Sequence, residues 1–224
     1  MTMPASLLRP SYPTEPETAE PAQRDDAAAC ADHRIVVASL AVALGYATLR
    51  YNVFKHVPWA DWPHYVVNKA LAMAGLGLIV LSAVRLARRG ATIRRLMAWA
   101  GGFVSAHVLL SLALLRPDYF DKLFAGGKLT AAAGWSLLLG AAAWAATELG
   151  ARRAAQWDPA SRIELLGLIA LASGLHAALP SVGSWFAPST WPGGLPPITL
   201  ISFAAGLAGW LAIRWRQLAG SADQ

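Results

Sequence analysis

The chain has 224 residues, of which 56% are hydrophobic and 14% charged, and its net charge is +6. Soluble domains usually carry about 25% charged residues, so this deficit, with a mean hydropathy of +0.41, points to a polytopic membrane protein. The positive charge does not mark a nucleic-acid-binding face, because the arginines cluster in short segments between apolar runs, which is the pattern of membrane topology. Ten tryptophans fit the aromatic belts of membrane interfaces. Cys30 stands alone, which excludes an intrachain disulfide or a multi-cysteine metal site.

Residues 1–34 are polar and rich in proline, alanine and acids, among them Pro10, Pro13, Glu15, Pro16, Glu17, Glu20, Pro21, Asp25 and Asp26. A secretory signal peptide opens on a basic region followed at once by an apolar stretch. This stretch does not have that form and reads as a disordered cytoplasmic tail, with Cys30 and His33 as spacer residues.

Six apolar segments follow, at about 35–54, 66–86, 96–115, 129–149, 163–179 and 198–215. Each is near the ~20 residues that cross a bilayer, and the fifth is short for a span. Gly75, Gly77, Gly101, Gly102, Gly134, Gly140, Gly206 and Gly209 make them dense in small residues, which lets membrane helices approach closely. No segment alternates like a strand and no soluble domain is visible. The predicted fold is all-α: a six-helix transmembrane bundle over 35–216, with a short tail at 217–224.

Arginine and lysine set the orientation. Arg85, Arg88, Arg89, Arg94 and Arg95 surround the link between segments two and three. Arg152, Arg153 and Arg162 lie in the link between four and five, and Arg214 and Arg216 end the last segment. All fall on one side, with both termini, which are therefore expected in the cytoplasm. Arg50, Lys55, Lys69, Arg116, Lys122 and Lys128 are scattered on the other side, and the link 180–197 carries no charge. In a Gram-negative bacterium that side would face the periplasm, the chain being a multi-pass protein of the inner membrane. The outer links hold Trp59, Trp62, His64, Tyr65, Tyr119, Phe120, Trp185, Phe186 and Trp191. These rings suit interfacial anchoring, and a lid over a pocket is the sharper reading.

His107 and His176 are the histidines at membrane depth. An ionisable group in hydrocarbon is costly and marks a functional site by default, and neutral imidazole is a common metal and haem-iron ligand. Measured from Arg95 and Arg162, the two lie about 18 and 21 Å up their helices at ~1.5 Å per residue. Similar depth in the outer half lets them share one ligand. Ser111, four residues after His107, and Ser173, three before His176, lie on the histidine faces and are placed to bind the second ring nitrogen and fix the tautomer. The plainer reading is that each histidine only hydrogen-bonds a neighbouring helix.

Other candidates carry weaker signals. His56 and His64, with Asp61 between them, form a loose metal trio on a Pro-interrupted loop, and His64 alternatively serves as a haem-edge or quinone hydrogen-bonding group. Lys69 either snorkels to the interface or pairs with a haem propionate. Arg50 has the same two readings, its planar fork suiting a carboxylate better than lysine does, and Arg116 joins them. GxGxxG and P-loop motifs are absent, and Glu148 and Glu164 lie at segment ends, which lowers a proton-coupled transporter without excluding it.

The run Leu96-Met-Ala-Trp-Ala-Gly-Gly-Phe-Val-Ser-Ala-His107 after an Arg-rich turn, the late His176 and six short helices resemble the ferric reductase-like transmembrane domain family, over 66–215. That family includes the haem-binding membrane subunit of the methionine sulfoxide reductase system. The resemblance implies b-type haem held between helices, with His107 and His176 as axial ligands, and an electron-transfer subunit of an oxidoreductase system. Many members with stacked haems carry two histidines on each of two helices. This chain has one on each, which limits it to one haem. A quinone, a flavin or a redox partner protein would then bridge to the other face. The alternatives are a cofactor-free transporter and a structural or assembly subunit of a membrane complex.

Overall fold

The computed structural model describes residues 19–89, 93–153 and 156–222. It contains six long helices: α1 (Ala19–Thr48), α2 (Trp62–Arg89), α3 (Arg94–Ala113), α4 (Ala131–Arg153), α5 (Pro159–Ala178) and α6 (Ile198–Ala222). About 84% of the structure is helical, and five of the helical stretches are long and apolar enough to cross a membrane. α4 is not among the five, because its apolar content is mainly alanine and glycine, which add less hydropathy than leucine and isoleucine. This is the architecture of an all-α multi-pass membrane protein.

Local sequence sets the helix ends. Pro63 in the first turn of α2 and Pro159 in that of α5 occupy positions where a missing N–H costs nothing. The Asp158 carboxylate caps α5 by accepting from the Ser161 amide at 3.0 Å, and the Ser161 bonds hold its pKa below the ordinary carboxylate value. α1 does not end at Thr48 but widens into a π-helical turn, Leu49–Phe54, that buries Arg50 and Asn52.

Two expectations change. The predicted tail is helical from Ala19 onward, and Asp32 within it pairs with Arg85 of α2 at 2.8 Å. Ala28, Ala29 and Ala31 are strong helix formers, which lets α1 grow back through acids that composition alone read as disorder. Residues 1–18 lie outside the described residues. At the other end α6 runs on to Ala222, through most of the predicted C-terminal tail. The link between α3 and α4 also holds a two-residue hairpin, β1 (Phe124–Ala125) and β2 (Lys128–Leu129). Gly126 and Gly127 turn it at φ 57° and 74°, the double positive φ that such hairpins need.

Successive helices run in opposite directions. At the arginine-rich end, α1 meets α2 through Asp32 and Arg85, α6 meets α5 through Arg214 and Glu164, and Arg216 donates to the Leu86 carbonyl of α2. At the opposite end, Tyr46 and Arg50 reach the Pro196 and Leu195 carbonyls before α6. α2 packs on α1, α3, α5 and α6, and α4 packs on α3 and α5. Helices α2, α3, α4 and α5 thus close a ring in which α3 and α5 lie diagonally opposite.

Leu78, Ile79, Leu96, Ile169 and Ile213 form the core beneath. The outer surface carries Val42, Leu109, Leu112, Trp135 and Leu138, while Asn68, Ser82, Ser136 and Thr147 are buried. Large apolar side chains outside and small or polar ones inside suit lipid contact, where helix contact rests on packing rather than water exclusion. The α5–α6 crossing shows the point. A Cβ on Gly206 would land on the Ala170 carbonyl oxygen, and one on Gly174 would meet the Phe203 backbone at 3.2 Å. Gly206→Ala is therefore expected to lower stability by about 1–3 kcal/mol in unfolding titrations of the micelle-bound protein. Gly45→Ala, with nothing within 4 Å of its Cβ, should not destabilise.

Candidate functional site

His107 and His176 stand on the diagonal helices α3 and α5 and interact electrostatically with each other. Each ring is tied to a different neighbouring helix. His107 Nδ1 lies 3.1 Å from the Asn68 carbonyl oxygen and 2.7 Å from Asn68 Oδ1 on α2. His176 Nδ1 lies 2.7 Å from the Ser136 carbonyl oxygen and 3.1 Å from Ser136 Oγ on α4. A carbonyl oxygen only accepts, so in both rings Nδ1 carries the proton and donates. Nε2 then keeps the lone pair, and neither Nε2 has a hydrogen-bond partner among the described residues. Nδ1–H on a carbonyl is the arrangement that orients a ligating imidazole and raises its basicity.

The serine expectations are only half met. Ser111 Oγ is 3.4 Å from His107 Nδ1, and its stronger role is to bridge to Asn68, accepting from Nδ2 at 3.1 Å. Ser173 is corrected: it makes no hydrogen bond to His176, and Ser136 takes the place assigned to it. The reason is Gly140, one turn beyond Ser136 on α4. A Cβ there would stand 2.7 Å from His176 Nδ1, so its absence opens a slot that draws the ring off its own helix and onto α4. Ser136 completes the contact by donating to the His176 carbonyl at 2.7 Å. Asn68 and Ser136 had no assigned role in the sequence, and Gly140 figured only among the small residues of the segments. Asn68 carried a signal of its own, being one of only two asparagines in the chain and inside an apolar run.

The remaining candidates divide. Lys69 follows Asn68 on α2, and its ammonium acts electrostatically on His107. Its Nζ lies 3.2 Å from the Tyr65 ring centroid, 5.1 Å from that of Tyr51 and 5.5 Å from that of Tyr119. Its hydrogen bond goes to the Tyr65 carbonyl at 3.3 Å. Arg50 is 7% exposed, donates from Nη1 to the Leu195 carbonyl, and keeps a buried Nε without a partner. Its guanidinium carbon lies 5.9 Å from the same Tyr51 ring. Neither cation has an acidic partner among the described residues. A desolvated cation–π contact is worth about 2 kcal/mol, whereas removing an ion from water costs several kcal/mol after relaxation, so the Tyr51 ring alone does not balance Arg50, which cannot shed its charge.

Arg116 does not join the pair: it is exposed in the link after α3 and salt-bridges Asp118 at 3.1 Å. His64 sits in the first turn of α2, 3.5 Å from Asp61, and its carbonyl accepts from Tyr119. His56 stands apart, exposed and at φ 57°, so the loose trio does not assemble. Tyr119, in the same layer, has its pKa pushed up to about 12 by burial, with the field of Asp61 adding to it.

Most protein sites for a bare transition-metal ion use three or more side-chain ligands, and no group of three His, Cys, Asp or Glu able to hold one occurs among the described residues. Two neutral imidazoles with free Nε2 lone pairs suit an iron that brings its own equatorial ligands, as haem does. No family model, curated protein or solved structure matches the chain significantly.

Gly140→Ala tests the slot. The added methyl is expected to push the His176 ring away from Ser136, moving its Nδ1–H resonance in NMR of 15N-histidine-labelled protein while the His107 resonance stays in place.

Proposed function

We propose that the chain is a b-type haem-binding integral membrane electron-transfer protein, similar to the ferric reductase-like transmembrane family. One haem would lie between α3 and α5 on His107 and His176. The observation that carries this reading is the pair of imidazoles on diagonal helices, each with Nδ1–H given to oxygen of a neighbouring helix, the side-chain and backbone oxygens of Asn68 for His107 and the Ser136 carbonyl for His176, and Nε2 left as a donor of its lone pair. A haem held by His107 and His176 would supply one-electron chemistry, and those two ligands with the surrounding dielectric would set its potential. The chain's own residues do the rest. Asn68 and Ser136 fix the tautomers and orient the rings, Gly140 gives His176 its place, and the leucine-rich exterior excludes water. Electrons would pass to or from a quinone, a flavin or a redox partner protein on the outer side.

The purified chain from haem-replete cells should show sharp low-spin bands in its reduced-minus-oxidised spectrum, and a colourless preparation sinks the proposal. His107→Ala and His176→Ala should each abolish the bands, and His56→Ala and His64→Ala should leave them. Asn68→Leu should weaken haem affinity by about 10- to 100-fold without removing the spectrum of the saturated protein.

The topology that goes with this function has six spans, with both termini on the cytoplasmic face of a bacterial inner membrane. The clustered arginines support it. Cys30, exposed near the arginine-rich end, is the chain's single cysteine. A cysteine introduced by Gly183→Cys in a Cys30→Ser background would mark the other end, where Gly183 is exposed and its Cβ meets nothing within 4 Å. A membrane-impermeant maleimide is expected to label the Gly183→Cys protein in intact spheroplasts and the Cys30 protein only in inverted vesicles. The reverse pattern overturns the orientation.

A further inference from the structure

At the end of the bundle opposite the arginine-rich links, two cations gather around one ring. Arg50 comes from the π-helical turn after α1 and Lys69 from α2, and both lie over Tyr51, at 5.9 and 5.1 Å from its centroid. Tyr65 and Tyr119 close the other sides of Lys69. The nearby acids are engaged elsewhere: Asp61 with His64, Asp118 with Arg116, and Asp121 with the Lys122 amide. Arg50 is held nine-tenths buried with its Nε unpartnered, and arginine does not shed its charge in proteins.

The cations at the arginine-rich end behave differently. There Arg85, Arg152 and Arg214 each meet a carboxylate, from Asp32, Glu148 and Glu164. Arg50 is more deeply buried than these three, keeps its charge and has no carboxylate among the described residues, which leaves its balancing charge to come from outside.

We infer that Arg50 and Lys69, walled by Tyr51, Tyr65 and Tyr119, form a binding site for an oxyanion at the outer mouth of the bundle. The oxyanion is a phosphate or carboxylate group that takes charge-assisted hydrogen bonds from the guanidinium and the ammonium. Tyrosine rings around the ammonium exclude water and favour a ligand whose charged group enters while its remainder stays in the lipid or between helices. The site stands on its own geometry and does not depend on haem. A lipid headgroup, a free anion and a haem propionate all present the same chemistry to it.

The test uses the full chain in phosphatidylcholine nanodiscs, comparing wild type with Lys69→Met, which keeps the stem and removes the charge, and with Lys69→Arg, which restores it. Thermal unfolding is followed in three arms: inorganic phosphate against chloride at equal ionic strength, nanodiscs with phosphatidylglycerol added, and haem against haem dimethyl ester. The expected result is a rise in midpoint of roughly 5 °C at saturation in at least one arm, lost in Lys69→Met and regained in Lys69→Arg. A Lys69-dependent rise with phosphate assigns a free anion, with phosphatidylglycerol a lipid, and with haem but not its ester a propionate. The inference is overturned if no arm gives a rise, or if every rise persists in Lys69→Met.

Discussion

Between apolar helices no water is at hand, so each buried N–H must find its acceptor inside the protein. This constraint organises the bundle. A helical carbonyl already accepts from the amide one turn on, but it has a second lone pair. The Ser136 carbonyl lends its own to His176, and the Asn68 carbonyl shares His107 with the closer side-chain oxygen of the same residue. Each bond therefore joins two helices, α3 to α2 and α5 to α4, and sets which nitrogen of the ring holds the proton. Structure and chemistry share one cause here. The bond that holds two helices in register also leaves Nε2 with its lone pair.

Close approach makes such bonds possible. Gly206 and Gly174 bring the α5 and α6 backbones together, while Gly140 on α4 admits the His176 ring. The same small residue thus serves two ends. On α6 it removes bulk so that backbone can meet backbone, and on α4 so that an aromatic ring can lie against a helix. In lipid the energy of these contacts comes from packing, since hydrocarbon outside is as apolar as leucine inside. A single methyl therefore acts strongly at Gly206 or Gly140 and weakly at Gly45, whose surroundings are open.

The helices were legible because lipid contact writes itself as long apolar runs, and each predicted segment overlaps one of the six long helices, of which five have helical stretches long and apolar enough to cross a membrane. Their outer ends were less legible. The hairpin at Gly126 and Gly127 is too short to show alternation, and the π-helical turn at Leu49–Phe54 has no distinct composition. The histidine pair was legible because two imidazoles in hydrocarbon stand out. Their partners were not. Spacing along one helix named Ser111 and Ser173, but hydrogen bonds between helices depend on which faces meet, and nothing in the spacing says that Gly140 lies against His176. Lys69 posed the same problem: the sequence shows a lysine near a span end, and only the fold shows three tyrosine rings around it.

The two ends of the bundle differ in how they neutralise charge, and the difference bears on the histidines. At the arginine-rich end, Asp32, Glu148 and Glu164 pair with Arg85, Arg152 and Arg214. At the other end the ammonium of Lys69 follows Asn68, the residue that holds His107, and acts on that imidazole directly. Through Asn68 and Lys69, adjacent in the chain, one turn of α2 therefore sets the tautomer of His107 and brings a basic side chain within electrostatic reach of it.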